Sequence, residues 1–536
     1  MKIFKAICLL LMVCSLEAKV TLIEKENLTN PLPVMVVADN QFTNLLAYPH
    51  LIRTKLIDKV ISVSIRPPQL DLFSKDMFEY SIRNHAQGKY LIHLGDALNL
   101  GCKNEWKTFT KVINSNADVH KGWVMAPGNH DFFFYGNGGG SRAFKKTGLK
   151  NLWEKVCQTD YPVKKPQKYK THLLSKDVFV EYYLEELEKQ NLGFSRNKMK
   201  CYIRMAKKDR HEPKTELRVC LYESEDENAF VQKVYSVLPL SNDLRVSYKA
   251  LLIQELNLAH NKKGHAPIKA ILMDSTDYPE SPLLPAFRLS SGRSFVTASQ
   301  NAGQVGSFRE TQLSVVKNWI EQDSNSTFLL MAHHPVDTFN KQSKEGLDKI
   351  TNQFPNTVYV SAHTHGGHTK EYDHFNELNL GSMTDFKPQY INLEHTQKGS
   401  LSFKRKTITI EDIQDPELCS DTYNMTDKEF GYTAYKKARN GARKMYDFTL
   451  STIERSLIQV FEAILPGHLD PPAMSLAPTY CRNKKCRINK LNKVKSLMKE
   501  DDHVLRHQDY LSQRLRYGSC QVIWAGAAEN ALSSKK

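Results

Sequence analysis

Five short apolar runs in this chain each stop at side chains that can bind a metal ion. Val34-Met35-Val36-Val37-Ala38 leads into Asp39-Asn40-Gln41, and Leu91-Ile92-His93-Leu94 leads into Gly95-Asp96. Trp123-Val124-Met125-Ala126 is followed by Pro127-Gly128-Asn129-His130-Asp131. Phe328-Leu329-Leu330-Met331-Ala332 reaches His333-His334-Pro335, and Val358-Tyr359-Val360 reaches Ser361-Ala362-His363-Thr364-His365. Carboxylate, amide and imidazole groups brought to one place make a metal site, and this many of them suggest two ions. A divalent pair ~3.5–4 Å apart can clamp a phosphate, activate a water and stabilise an in-line displacement.

Such groups act together only if the backbone collects them. Short apolar runs bounded by turn residues read as strands buried on both faces. Polar residues just past the carboxyl ends of such strands lie where open α/β sheets bind ligands. Each residue also has a plainer reading. A lone Asp at a strand end, Asp39 or Asp96 alike, is more often a helix N-cap than a ligand. His93 reads as a packed or hydrogen-bonded ring, and His368 and His374 as loop residues. Between His333 and His334 the residue types alone do not choose. Asn99 is a weak candidate for touching a phosphate oxygen.

Residues 32 to about 135 alternate strand and helix patterns, the βαβ signature of a layered α/β domain. Phe132-Phe133-Phe134-Tyr135 and the glycine-rich stretch to Gly140 read as a mobile loop beside the third cluster. Residues 141–265 are lysine-rich, carry no ligand cluster and read as an insertion, with a helix over Val178 to Leu192. The sheet pattern resumes at Ile268 to Ser275, a helix follows at Gln312 to Ile320, and Leu378 to Ile410 reads as β-hairpin material. Residues 411–536 read as a basic, cysteine-containing, mostly helical extension. Its strongest amphipathic stretch, Phe448 to Ile464, is broken by Pro466-Gly467 and Pro471-Pro472.

A chain of 536 residues exceeds one ordinary core, so a main domain with additions is expected. Lys2, Lys5, the apolar stretch Ala6 to Val13 and a small residue at Ala18 read as a signal peptide over 1–18, implying a secreted or periplasmic protein. No later run approaches the ~20 apolar residues of a membrane span, so no transmembrane segment is expected. Eight cysteines follow Ala18, at 102, 157, 201, 220, 419, 481, 486 and 520. In an exported chain they favour disulfides over zinc ligation, and the connectivity stays open. Asn27, Asn325 and Asn424 begin glycan acceptor triplets for a eukaryotic secretory pathway.

The net charge of +16 is partly local, with lysines clustered between Lys145 and Lys170 and a second basic run from Arg482 to Lys495. Solvated surface is the plain reading, and attraction to phosphate-bearing substrates, nucleic acid or anionic membranes the sharper one. Neither cluster has the interleaved aromatics of a dedicated single-strand binder.

Taken in order, the five clusters resemble the calcineurin-like metallophosphoesterases, whose pattern is Asp-x-His, Gly-Asp, Gly-Asn-His-Asp/Glu, a lone His and Gly-His-x-His. The resemblance covers roughly residues 32–405 outside the insertion and implies a metallophosphoesterase domain over 32–410. It implies a two-sheet α/β/β/α sandwich and a phosphatase or phosphodiesterase in which a hydroxide bridging two metals attacks phosphorus. It places Asp39, Gln41, Asp96 and His365 on one metal, and Asp96, Asn129, His333 and His363 on the other. His333 is preferred over His334 because the family's ligand lies two residues before the proline. His130 would serve as general acid or charge stabiliser, with Asp131 orienting its ring. Gln41 stands where most of the family has His, and resembles the Asp-x-Gln of manganese-dependent branches. The implied cofactor is therefore two divalent ions, Mn favoured and Fe, Zn, Co or Mg compatible. Asn99 replaces the tyrosine of the purple acid phosphatases and argues against that branch. The substrate would be a phosphate ester, whether small molecule, nucleotide, phospholipid or phosphoprotein. The competing reading is a catalytically weak protein of this fold that binds anionic lipid, glycan or nucleic acid through its basic patches.

Overall fold

The computed structural model describes residues 19–42, 78–132, 157, 172–206, 213–241, 243–260, 266–279, 305–383, 389–395 and 399–408. The expected signal peptide, the glycine-rich loop after Phe132, both basic clusters and the C-terminal extension lie outside them.

Alternation of side chains along the strands builds the fold. The first sheet holds β1 (Thr21–Glu24), β2 (Pro31–Val37), β3 (Tyr90–His93), β4 (Gly122–Met125), β14 (Gln389–His395) and β15 (Ser400–Thr407), in the order β1-β15-β14-β2-β3-β4. The second holds β5 (Lys200–Met205), β6 (Glu216–Glu223), β7 (Val231–Pro239), β8 (Leu251–Ala259), β9 (Ile268–Leu272), β10 (Thr327–Met331), β11 (Thr357–Ser361), β12 (Thr369–Glu371) and β13 (Asn376–Asn379). Its order is β12-β13-β11-β10-β9-β8-β7-β6-β5. The chain is thus a mixed α/β protein with two multi-stranded sheets, an arrangement that fits a two-sheet α/β sandwich.

In β10, Leu329 and Met331 join the core shared with β2, β3 and β4, while Phe328 and Leu330 join a second core on the other side. This period of two buries both faces of the strand, which is why its sequence reads as a continuous apolar run. The helix α3 (Glu310–Gln322) covers the outer face with Val316, Trp319 and Ile320, and α4 (Lys341–Gln353) with Leu347 and Ile350. On the first sheet, α1 (Lys103–Asn114) contributes Trp106, Phe109, Val112 and Ile113, spaced three and four apart on one stripe. Glu105 caps this helix by accepting the amides of Leu100 and Cys102.

The stretch 141–265, read from sequence as an insertion, is in its described part integral to the second sheet. β5 to β8 come from it, and β8 pairs antiparallel with β9. Its helix α2 (Lys176–Lys189) buries Phe179, Val180, Tyr183 and Leu187 in the main core. Tyr183 Oη donates to Gln254 on β8 and accepts the amide of Met125 on β4, so α2 ties both sheets together. Lysine-rich composition concealed these strands, although of the lysines in this stretch only Lys200 and Lys233 fall within β5 to β8.

Two disulfides, Cys102–Cys157 and Cys201–Cys220, are formed. Among the described residues no helix is long and apolar enough to cross a membrane. Disulfides fit the oxidising environment of an exported protein.

Candidate metal centre

β2, β3 and β4 run parallel, as do β9, β10, β11 and β13 in the second sheet. The carboxyl ends of these two sets face one another, and the chain turns sharply at each end. Six described non-glycine residues have positive φ: Asp39, Gln41, Asp96, Asn191, His363 and His365. Five of them are residues singled out from sequence as ligands. Left-handed backbone at non-glycine positions costs on the order of 1–3 kcal/mol each and persists where surroundings enforce it, commonly at functional sites. The turns are also packed tightly. A Cβ on Gly128 would come within 2.2 Å of the Asp96 amide nitrogen, and one on Gly95 within 2.5 Å of the Gly128 nitrogen. Only glycine at both positions lets these loops touch.

Within this frame His333 Nε2 lies 3.0 Å from Asn129 Oδ1, 3.1 Å from His363 Nδ1 and 3.3 Å from Asp96 Oδ2. Its other nitrogen, Nδ1, lies 2.8 Å from the Leu94 carbonyl, to which it must donate. A neutral His333 therefore turns a lone pair toward Asn129 Oδ1 and Asp96 Oδ2, which are themselves acceptors. Adjacent oxygen or nitrogen ligands about 2.1 Å from one ion in an octahedral shell are ~3 Å apart, which is the spacing found. Asp96, His333 and His363 are thereby brought together as a metal-competent group. Burial disfavours charge on His333, but Asp96 beside it outweighs that and pushes its pKa up to about 9. His363, pushed down to about 3 by burial and by His333, is a neutral imidazole.

Asp96 also touches the second group. Its Oδ2 accepts from Gln41 Nε2 at 3.1 Å, and Asp39 Oδ1 lies 3.3 Å from His365 Nε2. Asp39 Oδ2 accepts the amide of His363, joining the two sheets' loops directly. Gln41 Oε1 is buried without a hydrogen-bond partner. Leaving such an oxygen unsatisfied costs about 1–3 kcal/mol, and an ion at this position would relieve it. The donor set of carboxylate, amide and imidazole without thiolate suits a hard or borderline divalent cation. The residues present fit a metal pair, with Asp96 between the two sets.

His130 stands at the rim, half-buried. Its amide donates to Asp96 Oδ1 at 2.7 Å and its Nδ1 lies 2.7 Å from the Asn99 carbonyl. The ring is thus oriented by backbone. Asp131, expected from sequence to orient the His130 ring, is placed against backbone amides. It is fully buried, and its two oxygens accept the amides of Gly128 at 2.7 Å, Asp96 at 2.9 Å and Leu98 at 3.1 Å. The carboxylate bridges the loops after β3 and β4. Burial, with Asp96 adjacent, pushes it up to about 8, and the amides of Gly128 and Leu98 oppose the shift.

Of the adjacent histidines, His333 faces Asp96 and Asn129, whereas His334 Nδ1 bonds Ser275 Oγ at 2.8 Å. His93 is a strut: Nδ1 accepts the Gly95 amide, and Nε2 bonds Asn40 Oδ1. A sixth strand end went unassigned in the sequence. After β9, Asp274 pairs with Lys176 at 2.8 Å with both side chains wholly buried, and Asp277 pairs with Arg309. Between them Ser275 anchors His334. The signal was available as Asp274-Ser275-Thr276-Asp277 after an apolar run, but its cationic partners lie far away in sequence.

The chain matches no protein-family model, and its sequence matches no curated protein.

Proposed function

We propose that the chain is a two-metal phosphoric-ester hydrolase of the calcineurin-like metallophosphoesterase type. The observation that supports it best is the convergence of Asp96, Asn129, His333 and His363 on one point, with Asp39, Gln41 and His365 sharing Asp96 from the other side. Asp39, Gln41, Asp96 and His365 would hold one ion, and Asp96, Asn129, His333 and His363 the other. Bound there, such a pair supplies Lewis acidity toward phosphoryl oxygens and lowers the pKa of coordinated water.

The protein's own groups carry the remaining roles. Positive-φ turns hold the ligands before any ion arrives, so binding does not have to order them. The Leu94 carbonyl fixes the tautomer of His333 with Nε2 as ligand atom. His130, its Nδ1 held by Asn99, presents Nε2 to the leaving-group oxygen and supplies a proton or hydrogen bond as the ester oxygen departs. Gln41 contributes a carbonyl oxygen, which favours Mn over softer ions. Monoester and diester hydrolysis share this core.

The test is hydrolysis of paired monoester and diester substrates by protein reconstituted with Mn, Fe, Zn, Co or Mg. Activity that requires metal and disappears in Asp96→Asn supports the reading. Inactivity of the wild type with all five metals on both esters overturns it.

A further inference from the structure

Among the described residues, nothing covers the β5 edge of the second sheet. All six residues of β5 are exposed, and Tyr202, Ile203 and Met205 are 57%, 61% and 57% accessible. Among the described residues only six large apolar side chains are exposed. Tyr202, Ile203, Met205, Leu221 and Leu240 all belong to this end of the sheet, and Ile23 alone lies elsewhere. Natural sheets usually protect edges with proline, bulges or inward charges. This one carries Cys201–Cys220, a cross-strand disulfide between directly paired residues 4.1 Å apart at Cα.

The register specifies which backbone groups are unused. Ala206 donates its amide to Thr215 at 2.9 Å, so Ala206, Arg204, Tyr202 and Lys200 bond inward to β6. Cys201, Ile203 and Met205 consequently turn their amides and carbonyls outward, where β5 has no neighbouring strand among the described residues.

We infer that this edge pairs antiparallel with β5 of a second copy of the chain, about a twofold axis at Ile203. The side chains of β5 choose the register, and in it Tyr202 and Arg204 make the edge complementary to itself. With the axis at Ile203, Ile203 pairs with itself, Cys201 with Met205, Lys200 with Ala206, and Tyr202 with Arg204 of the other copy. The last pair puts a guanidinium against an aromatic ring, a favourable contact. Moving the axis to Tyr202 sets Lys200 opposite Arg204, and moving it to Arg204 opposes two arginines, both unfavourable cross-strand pairs. Strand addition of this kind draws affinity from main-chain hydrogen bonds, and its small area implies a weak, concentration-dependent dimer.

Sedimentation equilibrium of the full chain tests this, at concentrations up to about 100 μM so that a small interface is populated. Wild type should form a dimer. Ile203→Pro should be monomeric with the Cys201–Cys220 bond intact, because the lost amide faces away from β6. Tyr202→Arg should weaken association at least tenfold by opposing Arg204. The exchange Tyr202→Arg with Arg204→Tyr should restore it, and tests the register even if the proline variant fails to fold. A monomeric wild type, or an exchange variant as weak as Tyr202→Arg, overturns the inference.

Discussion

His333 points Nε2 at Asn129 Oδ1 from 3.0 Å while its Nδ1 hydrogen-bonds the Leu94 carbonyl at 2.8 Å. In a neutral ring this sets acceptor against acceptor, so the position calls for either a second proton or a cation. Without metal, the proton is held to about pH 9. Metal binding near pH 7.5 should therefore release a proton from His333, and affinity should rise as pH climbs from the ordinary histidine value of 6.5 toward 9. The sign for the metal-free protein is the reverse. A raised pKa contributes stability that is fully present below 6.5 and lost as pH rises through about 9. Calorimetric titration with Mn in buffers of different ionisation enthalpy reads the proton directly. Equal heats in all buffers would contradict this account.

His130 and Asp131 are neighbours with separable consequences. His130→Ala should lower turnover by about 10²–10⁴-fold, as loss of a general acid does, while metal content is unchanged. Asp131→Ala strips three amides of their buried acceptor and should cost about 3 kcal/mol or more, with weakened metal binding. Thermal melting with elemental analysis distinguishes the two. If Asp131→Ala keeps full stability and only shifts the pH profile, the orienting role expected from sequence is the right one after all.

Lys176 and Asp274 form an ion pair with no solvent contact. Removing one partner of such a pair typically costs about 3–5 kcal/mol, because the other charge remains buried. Lys176→Met should therefore be strongly destabilised, and Lys176→Met with Asp274→Asn should recover most of the loss. Chemical denaturation of the four proteins in the cycle decides, and a double variant as unstable as Lys176→Met would show that packing rather than charge matters there.

Glu394 on β14 gathers the N-terminal segment. It accepts from Lys25 Nζ, the Thr29 hydroxyl and the amides of Thr29 and Asn30. Burial disfavours its charge, but Lys25 and the Thr29 hydroxyl lead the contacts that overcome this and bring it down to about 2. A depressed carboxyl contributes stability present above its ordinary value of 4.5 and lost as pH falls toward 2. Urea midpoints measured across that window should fall for wild type and change less for Glu394→Gln. Parallel curves would remove Glu394 from the acid response.

The strand ends were legible in the sequence because apolar runs and abrupt polar stops are local signals. That His333 rather than His334 meets Asp96 could be anticipated only through the proline two residues on. The bond from Asp131 to the Gly128, Asp96 and Leu98 amides was not legible, since it depends on how two loops pack. The strands over residues 200–259 were hidden for a different reason. Most lysines of the stretch lie between the strands rather than in them, so its average composition reads as surface. Lys176 could not be paired with Asp274 from sequence, as nothing local links residues so far apart.

The account stands most directly on metal stoichiometry measured together with hydrolysis. Elemental analysis of Mn-reconstituted protein should find two ions per chain, and the same sample should cleave a phosphate ester. Asp96→Asn should lose both ions and the activity, because this one carboxylate contacts both ligand sets. An Asp96→Asn protein with full metal content and full activity would contradict the shared role of Asp96, and with it the two-metal centre.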